Sequence, residues 1–295
     1  MSKATKRKVP IKIKYESDEK PKPTNLQNEV STSIVKPNNT SKSMVKDAKV
    51  VKFVPNNWEE LYANIKIMRK SMTAPVDEMG CEQSFEKGMD PKIQRYQILV
   101  SLMLSSQTRD QMTHLACKRL GEFSFNPEIL SKIDSKILED LIKSVCFYRV
   151  KAKHIKMTSA ILLEEYGGDI PPDIPGLMKL PGVGPKMAHI CMHAAWKVTS
   201  GIGVDIHVHR IANRLKFTSK ETTQPEKTRL ELESWLPFEL WGEVNLLFVG
   251  FGQTICKPVG KNCAECLNNK ICPSAFSVTP RKKKSKETSK KTSKE

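Results

Sequence analysis

Residues 180–210 read LPGVGPKMAHICMHAAWKVTSGIGVDIHVHR, and this stretch decides the fold. It opens on a glycine-rich turn, in which Gly182 and Gly184 let the backbone pass close to a ligand. Pro185 suits the first turn of a helix, and Lys186 follows it directly. Because a helix start presents free N–H groups and the positive end of the helix dipole, the turn predicts an anion site beside an amine.

The turn has a less specific interpretation as well. Gly-x-Gly turns precede many helices, and a lysine on a first helical turn is usually only solvated. The segment before the turn, residues 173–180, predicts a short helix with its apolar residues on one side, so the whole reads as helix, hairpin, helix. Asp205 follows Lys186 by nineteen residues. An amine and a carboxylate near an anion site could cut something attached to a phosphate backbone.

The net charge of +17 is concentrated at the two ends of the 295-residue chain. Residues 1–52 hold 13 Lys and Arg against 5 Asp and Glu, and residues 281–295 hold 8 against 2. Basic tails favour a nucleic-acid partner, although they could also serve only solubility. The sequence has no apolar run of membrane-spanning length and no secretory signal, so we predict no membrane partner.

Both ends of the chain have the composition of disordered segments. Residues 1–52 and 276–295 are rich in Lys, Ser and Thr and poor in aromatics, so we predict two disordered basic tails. Lys6-Arg7-Lys8 is typical of a nuclear-import signal. We therefore predict the nucleus as the location, with the mitochondrion as a second destination.

Between the tails, apolar residues recur at helical spacing and no run alternates as a strand would, so we predict an all-α fold. Residues 96–104 are apolar nearly all round and predict a buried helix. This helix runs into a polar cluster at residues 105–110, which is either a capped helix end or a functional loop. Phe147 and Tyr148 lie in a second loop, where they either pack or enter a base stack.

Four of the eight cysteines crowd into seventeen residues with the spacing Cys-x6-Cys-x2-Cys-x5-Cys, namely Cys256, Cys263, Cys266 and Cys272. Without a secretory signal, a metal site is a better interpretation than disulfides. Four thiolates in one short loop can hold either zinc or an iron–sulfur cluster, and general chemistry does not decide between them. We expect the other four cysteines to be small core residues.

Taken together, these motifs resemble the endonuclease III family of the helix-hairpin-helix DNA glycosylase superfamily. The resemblance covers about residues 58–273, and it is carried by LSSQTRD, LPGVGPKMA, VDIHVHR, ELWGEVNLLFVGFGQ and the cysteine loop. It implies two helical domains flanking a DNA-binding cleft. The iron–sulfur domain would comprise residues 53–87 and 199–275. A six-helix barrel domain would comprise residues 88–198, with the hairpin at about 173–197.

The resemblance also implies roles for individual residues. Lys186 matches the catalytic lysine of the family and Asp205 its catalytic aspartate. Gln107 matches the residue that fills the gap left by a flipped base, and Phe147 matches an intercalating side chain. Gly182 and Gly184 would bind DNA in the hairpin, and His207 would be a phosphate contact or a structural residue. The four clustered cysteines match the ligands of a [4Fe-4S] cluster.

The implied activity is that of a bifunctional DNA N-glycosylase and AP lyase of base excision repair. Such an enzyme removes oxidised pyrimidines from double-stranded DNA through a lysine Schiff base and cleaves 3′ to the abasic site by β-elimination. We expect a monomer. Two alternatives are a non-catalytic helix-hairpin-helix DNA-binding module and a monofunctional mismatch adenine glycosylase. Lys186 argues against both, and the second would also carry a further C-terminal domain.

Overall fold

The computed structural model describes residues 53–84 and 88–277. Within these ranges the chain forms twelve α-helices and one short 3-10 helix, Cys81–Gln83, and no strand. The prediction of an all-α fold is confirmed. The predicted disordered tails, apart from residues 276 and 277, and the predicted import signal lie outside the described residues. None of the described helices is long and apolar enough to cross a membrane.

Seven helices precede the hairpin: α1 Trp58–Lys70, α2 Pro75–Met79, α3 Pro91–Ser105, α4 Asp110–Phe123, α5 Pro127–Lys132, α6 Ser135–Leu141 and α7 Tyr148–Glu165. The hairpin joins α8 Ile174–Lys179 to α9 Pro185–Trp196. Three helices follow: α10 Ile206–Leu215, α11 Pro225–Trp235 and α12 Phe238–Thr254.

Local sequence explains most helix starts. Five helices have a side-chain oxygen that accepts a backbone N–H of the first turn, from the N-cap residues Asp90, Asn126, Asp134, Asp173 and Asp205. Such caps satisfy N–H groups that have no partner inside the helix. Proline stands at the first position of α2, α3, α5, α9 and α11, where its missing N–H costs nothing.

The first of two hydrophobic clusters is built on α3, whose residues from Tyr96 to Leu104 are all buried, and it extends to α9. The buried polar side chains of α3 are paired. The Tyr96 hydroxyl shares a 2.6 Å hydrogen bond with Ser159, and Gln97 donates to the carbonyl of Phe125 at 3.0 Å. A helix buried on every side needs this pairing, because an unpaired polar group there costs free energy.

The second hydrophobic cluster joins α1 to α10, α11 and α12. Trp235 is at its centre, with its ring edge-on to Trp58 at 5.3 Å and to Phe217 at 5.4 Å between centroids. The chain thus begins in the second cluster with α1, forms the first cluster with helices from α3 to α9, and returns to the second cluster from α10 onward. The proposed boundaries of an iron–sulfur domain and a six-helix domain stay a prediction.

Polar side chains fix the two clusters against each other. Gln253, on α12, donates to Asp110 at the start of α4 (2.7 Å) and accepts from the backbone N–H of Val76 (3.1 Å). Asn245, also on α12, donates to the carbonyl of Gly203 in the segment between α9 and α10. Helix α12 of the second cluster therefore contacts both the start of α4 in the first cluster and the segment that precedes α10 in the second.

Candidate active site

The hairpin between α8 and α9 requires glycine at Gly182. Its φ of 79° lies in the left-handed region that L side chains rarely adopt. A Cβ there would also lie 2.5 Å from Nδ1 of His154 on α7, so the hairpin backbone packs directly on that imidazole. The Val183 N–H donates to the carbonyl of Leu180 at 3.1 Å and closes the turn.

The start of α9 is open. Gly184 is its N-cap and makes no side-chain cap, and a Cβ built on it would meet no atom within 4 Å. The first N–H to bond back along the helix is that of Ala188, to the carbonyl of Gly184 at 3.0 Å. The N–H groups of Lys186 and Met187 have no intrahelical partner, as at any helix start. They are therefore available to an anion from solvent.

Lys186 lies on the first turn of α9, half-buried, and its amine makes no hydrogen bond or ion pair with any residue that the structure describes. The positive charge of Lys186 influences the pKa of the Cys81 thiol. Burial and the charge of Glu82 raise the pKa of Cys81 to about 12, and the charge of Lys186 acts in the opposite direction. The amine at the open helix start is therefore near enough to the segment that follows α2 to influence the charge state of a thiol there.

Asp205 is the N-cap of α10. Its Oδ1 accepts the backbone N–H groups of His207 and Val208, both at 2.8 Å. In the described part of the chain no hydrogen bond reaches its Oδ2. The segment before Asp205 runs along the surface of α9. A Cβ on Gly203 would lie 2.3 Å from the side chain of Ile190, which is one helical turn after Lys186. The structure thus packs the segment two residues before Asp205 on the face of α9 that carries Lys186.

His207 is half-buried beside two carboxylates. Burial lowers its pKa, the charge of Arg210 adds to this effect, and the charges of Asp205 and Asp110 oppose it. Nδ1 of His207 is 3.2 Å from Nη2 of Arg210. Since Asp110 begins α4, the starts of α4 and α10 lie close together at His207. The role of His207 as a phosphate contact stays a prediction.

Gln107 and Phe147 lie at two adjacent turns of the first cluster. Both have left-handed backbone, with φ of 53° and 55°, which is uncommon for residues other than glycine. Both are exposed, and Phe147 keeps 65% of its surface in solvent. The hydroxyl of Thr108, next to Gln107, accepts the backbone N–H of Cys146, next to Phe147, at 3.2 Å. The two predicted DNA contacts are therefore coupled through backbone and one hydroxyl.

The four clustered cysteines line a single cavity at the end of α12, between α10 and the C-terminal loop. None is paired in a disulfide. Burial raises the pKa of Cys266 and of Cys272, and the other thiols of the group act in the same direction. Among the described residues, no group of three or more His, Cys, Asp or Glu is placed to hold a single metal ion.

Two N–H donors point at sulfur in this cavity. Arg214 Nη1 lies 3.3 Å from Sγ of Cys256, and the backbone N–H of Phe276 donates to Sγ of Cys263 at 3.5 Å. Arg214 also donates to the carbonyls of Lys257 and Pro258, which fixes the loop to α10. Four sulfur atoms around one cavity, with N–H groups directed at two of them, suit a soft multi-iron centre.

Comparison with known proteins agrees with this geometry. The family model described as "HhH-GPD superfamily base excision DNA repair protein" matches residues 100–238. Endonuclease III-like protein 1 of Gallus gallus is 52% identical over 224 residues, 76% of this chain and 80% of that protein. The protein of the same name from Mus musculus is 53% identical over 227 residues, 77% of this chain and 76% of its own length.

The chain belongs to the endonuclease III family. A solved structure of a trapped endonuclease III–DNA covalent intermediate has a TM-score of 0.63 and 28% identity, and it covers 74% of this chain and 96% of its own. Enzymes of the endonuclease III family are DNA glycosylases of base excision repair with AP lyase activity, and this chain is one of them. It is therefore not a non-catalytic helix-hairpin-helix DNA-binding module.

Sequence reasoning did not single out three residues around the site in this endonuclease III family member. Asp110 and Gln253 connect α4 to α12, and Lys151 lies buried beneath the turn of Gln107. The polar cluster at residues 105–110 was a signal for Asp110. The helical period was a signal for Lys151, which lies one turn before the buried Ile155 on the inner face of α7.

Proposed function

We propose that this enzyme removes oxidised pyrimidines from double-stranded DNA and then cleaves the strand 3′ to the emptied sugar by β-elimination. The observation that supports this most directly is the pairing of two helix starts. At one, the free amine of Lys186 stands beside an open anion site. At the other, Asp205 holds a carboxylate two residues after Gly203, which packs on the face of α9 that carries Lys186.

In this mechanism the neutral amine of Lys186 attacks C1′ of the damaged nucleotide. A C–N bond forms to Nζ, the bond between C1′ and the base breaks, and the base leaves with that electron pair and takes up a proton. Opening of the sugar gives a Schiff base between Lys186 and C1′. The imine acidifies C2′, and loss of a C2′ proton expels the 3′ phosphate with the electrons of the C3′–O bond. Water then releases the amine.

Asp205 has an electrostatic role in the proposal. Positive charge develops at the sugar as the base departs, and a carboxylate held nearby stabilises it. The two N–H groups that bind Oδ1 fix the orientation of the side chain, so that no reorganisation is needed during the reaction. Oδ2 is left for the sugar or for a proton.

DNA would be held by backbone and opened by two side chains. The N–H groups at the start of α9, reached past Gly182 and Gly184, would bind a phosphate. Flipping a base costs a few kcal/mol of lost stacking and pairing. Gln107 and Phe147, both exposed at left-handed turns, would occupy the gap and offset part of this cost. His207 would contact a phosphate or orient Asp205.

We propose a [4Fe-4S] cluster as the cofactor, held by Cys256, Cys263, Cys266 and Cys272. The cavity that all four line and the N–H groups directed at two sulfurs support it. When bound, the cluster would supply four iron–sulfur bonds that join the C-terminal loop to the end of α12 and so contribute to folding. The proposed chemistry on DNA does not pass through it.

We further propose that the enzyme acts as a monomer in the nucleus, with the mitochondrion as a second destination. The basic residues Lys6, Arg7 and Lys8 support nuclear import. A fluorescent reporter fused to residues 1–52 tests the location, and light scattering of the purified protein tests the oligomeric state. A cytoplasmic reporter or a stable dimer would contradict these two points.

The substrate assignment is tested with end-labelled duplexes that differ in one base. We expect release of an oxidised pyrimidine such as thymine glycol, with a strand break that leaves an unsaturated aldehyde at the 3′ end. A duplex with adenine opposite 8-oxoguanine is the control for the adenine-excising alternative and should stay intact. Excision of that adenine without a strand break would contradict the proposal.

A further inference from the structure

Lys151 is the one lysine of α7 with a side chain in the interior, at 7% exposure. Its ammonium uses all three N–H groups. It donates to the carbonyls of Leu104 and Ser106, both at 2.7 Å, and to the hydroxyl of Thr108 at 3.0 Å. The two carbonyls lie at the C-terminal end of α3, where they lack intrahelical partners and where the helix dipole favours a cation.

Thr108 is the centre of this network. Its hydroxyl oxygen accepts from Lys151, accepts the backbone N–H of Cys146 at 3.2 Å, and donates to the carbonyl of Ser106 at 3.2 Å. Gln107 lies immediately before Thr108 in the chain, and Phe147 immediately after Cys146. A single hydroxyl and a single ammonium therefore join the turn that carries Gln107 to the turn that carries Phe147.

We propose that Lys151 and Thr108 are positioning residues that hold the Gln107 and Phe147 turns in one geometry, so that both side chains enter DNA as a unit. The proposal rests on the DNA-opening role given to Gln107 and Phe147 above. Without the network, each left-handed turn would have to be ordered separately when DNA binds, and that ordering reduces the free energy left for flipping. With it, the ordering is complete before DNA arrives.

The charge state of Lys151 is compatible with this role. Burial lowers its pKa to about 8, while the nearby Cys146 acts in the opposite direction. At neutral pH the amine therefore stays mainly protonated and keeps three donors for its three acceptors. A neutral amine would have only two N–H groups and would leave one acceptor of the network unpaired.

A purely structural role for Lys151 predicts a different result from a positioning role. If it only caps α3, its loss lowers stability and affects every substrate alike. If it positions the two turns, its loss matters where a base pair must be opened. We expect Lys151→Met and Thr108→Val to lower kcat/KM about tenfold to a hundredfold on a lesion in a paired duplex, the range that a misplaced group can cost. On the same lesion left unpaired in a bulge, the loss should be at most about threefold.

Two control variants match these changes. Lys156 lies on the same helix, and its ammonium donates to the carbonyl of Ile133 and to the hydroxyl of Ser135. Both acceptors lie where α5 ends and α6 begins, away in sequence from Gln107 and Phe147. Lys156→Met therefore removes a comparable contact and should not separate paired from unpaired substrates. Thr108→Ser keeps the hydroxyl and should restore activity on the paired duplex. Should Lys151→Met not fold, the Thr108→Val and Thr108→Ser pair makes the same test.

The deciding measurement is a coupling cycle with Gln107→Ala plus Phe147→Ala. In that background Lys151→Met or Thr108→Val should cause almost no further loss on the paired duplex, because there are no side chains left to position. If the full loss recurs in that background, the positioning role is wrong, while the DNA-opening role of Gln107 and Phe147 stands. If Gln107→Ala plus Phe147→Ala itself lowers activity equally on paired and unpaired substrates, the DNA-opening role is wrong, and this inference fails with it.

Discussion

The starts of two consecutive helices, α9 and α10, are capped in opposite ways. At α9 the N-cap is Gly184, and no side chain covers the first N–H groups. At α10 the N-cap is Asp205, and its own carboxylate accepts two of them. The same element of secondary structure is therefore open to an external anion at one place and closed by an internal anion at the other.

The difference shows how one residue type decides what a helix start can do. An uncapped start attracts phosphate, because its N–H groups and its dipole both favour negative charge. A start capped by aspartate has already used that attraction, and the carboxylate repels a second anion. It is left with a fixed negative charge, suited to stabilising a cation such as the sugar from which a base departs. We expect each start to lose its role when its cap is changed.

The largest effect is expected when the charge at the closed start is removed and the cap is kept. Asp205→Asn retains an oxygen that can accept from His207 and Val208, so stability should change little. Base release should fall about a hundredfold to a thousandfold, the usual cost of losing one electrostatic contact in a transition state. Single-turnover excision measures it. Asp173→Asn makes the same change at the start of α8, where the carboxylate accepts from Gly176 at 2.7 Å, and it should leave excision intact.

Closing the open start should have the next largest effect. A Cβ at Gly184 meets no atom within 4 Å and the backbone φ of −110° suits any residue, so Gly184→Asp should fold. Because glycine is itself a tolerated N-cap, the aspartate should stabilise the protein by only about a few tenths of a kcal/mol. The same carboxylate should weaken DNA binding about tenfold or more, because it occupies the phosphate site. Gly184→Ala is the control for size. Tighter binding by Gly184→Asp would show that α9 does not hold phosphate.

Only one of the two starts depends on the cysteine cavity. Arg210 and Arg214, on α10, donate to the carbonyl of Cys256, whereas α9 packs in the other cluster. Cys263→Ala should remove the bound iron, lower the unfolding temperature and slow base release up to about tenfold, through displacement of Asp205. Cleavage of a preformed abasic site should fall less. Cys117→Ala, at a buried thiol outside this cavity, is the control. Iron retained at full occupancy would contradict the ligand assignment.

The smallest effect concerns pH. Because burial lowers the pKa of His207, the unfolded chain binds more protons than the folded protein between that lowered pKa and about pH 6.5. The contribution of His207 to stability is therefore present above this window and is lost as the pH falls through it. Asp205→Asn removes a charge that favours the protonated ring, so the loss should extend to lower pH. Urea unfolding from pH 7 to pH 5 measures the slope, and His207→Asn should flatten it.

Local sequence predicted those features that local chemistry determines. The run at residues 96–104 is nearly all apolar, and α3 is buried on every side there. The proline and lysine of α5, Pro127–Lys132, mark the bounds that the structure has. The five-residue helix α2 was not predicted, because it is too short for an apolar period and is held by contacts with α4 and α12.

Other features depend on parts of the chain that are far apart in sequence. The bond from Cys146 to Thr108 spans 38 residues, and the bond from Gln253 to Asp110 spans 143. The helical period places Lys151 on the face of α7 that carries Ile155, but no local signal predicts that the carbonyls at the end of α3 accept its N–H groups. The contact of Gly203 with Ile190, which packs the segment before α10 on α9, is likewise encoded by no motif.

The central claim is that the amine at the open helix start is the nucleophile, and borohydride trapping tests it most directly. Wild-type protein should form a covalent adduct with a duplex that carries an oxidised pyrimidine, and Lys186→Gln should form none while it still binds the duplex. Lys197→Gln, at the opposite end of α9, is the matched control and should trap normally. A covalent adduct of undiminished yield with Lys186→Gln would place the nucleophile elsewhere and contradict the account.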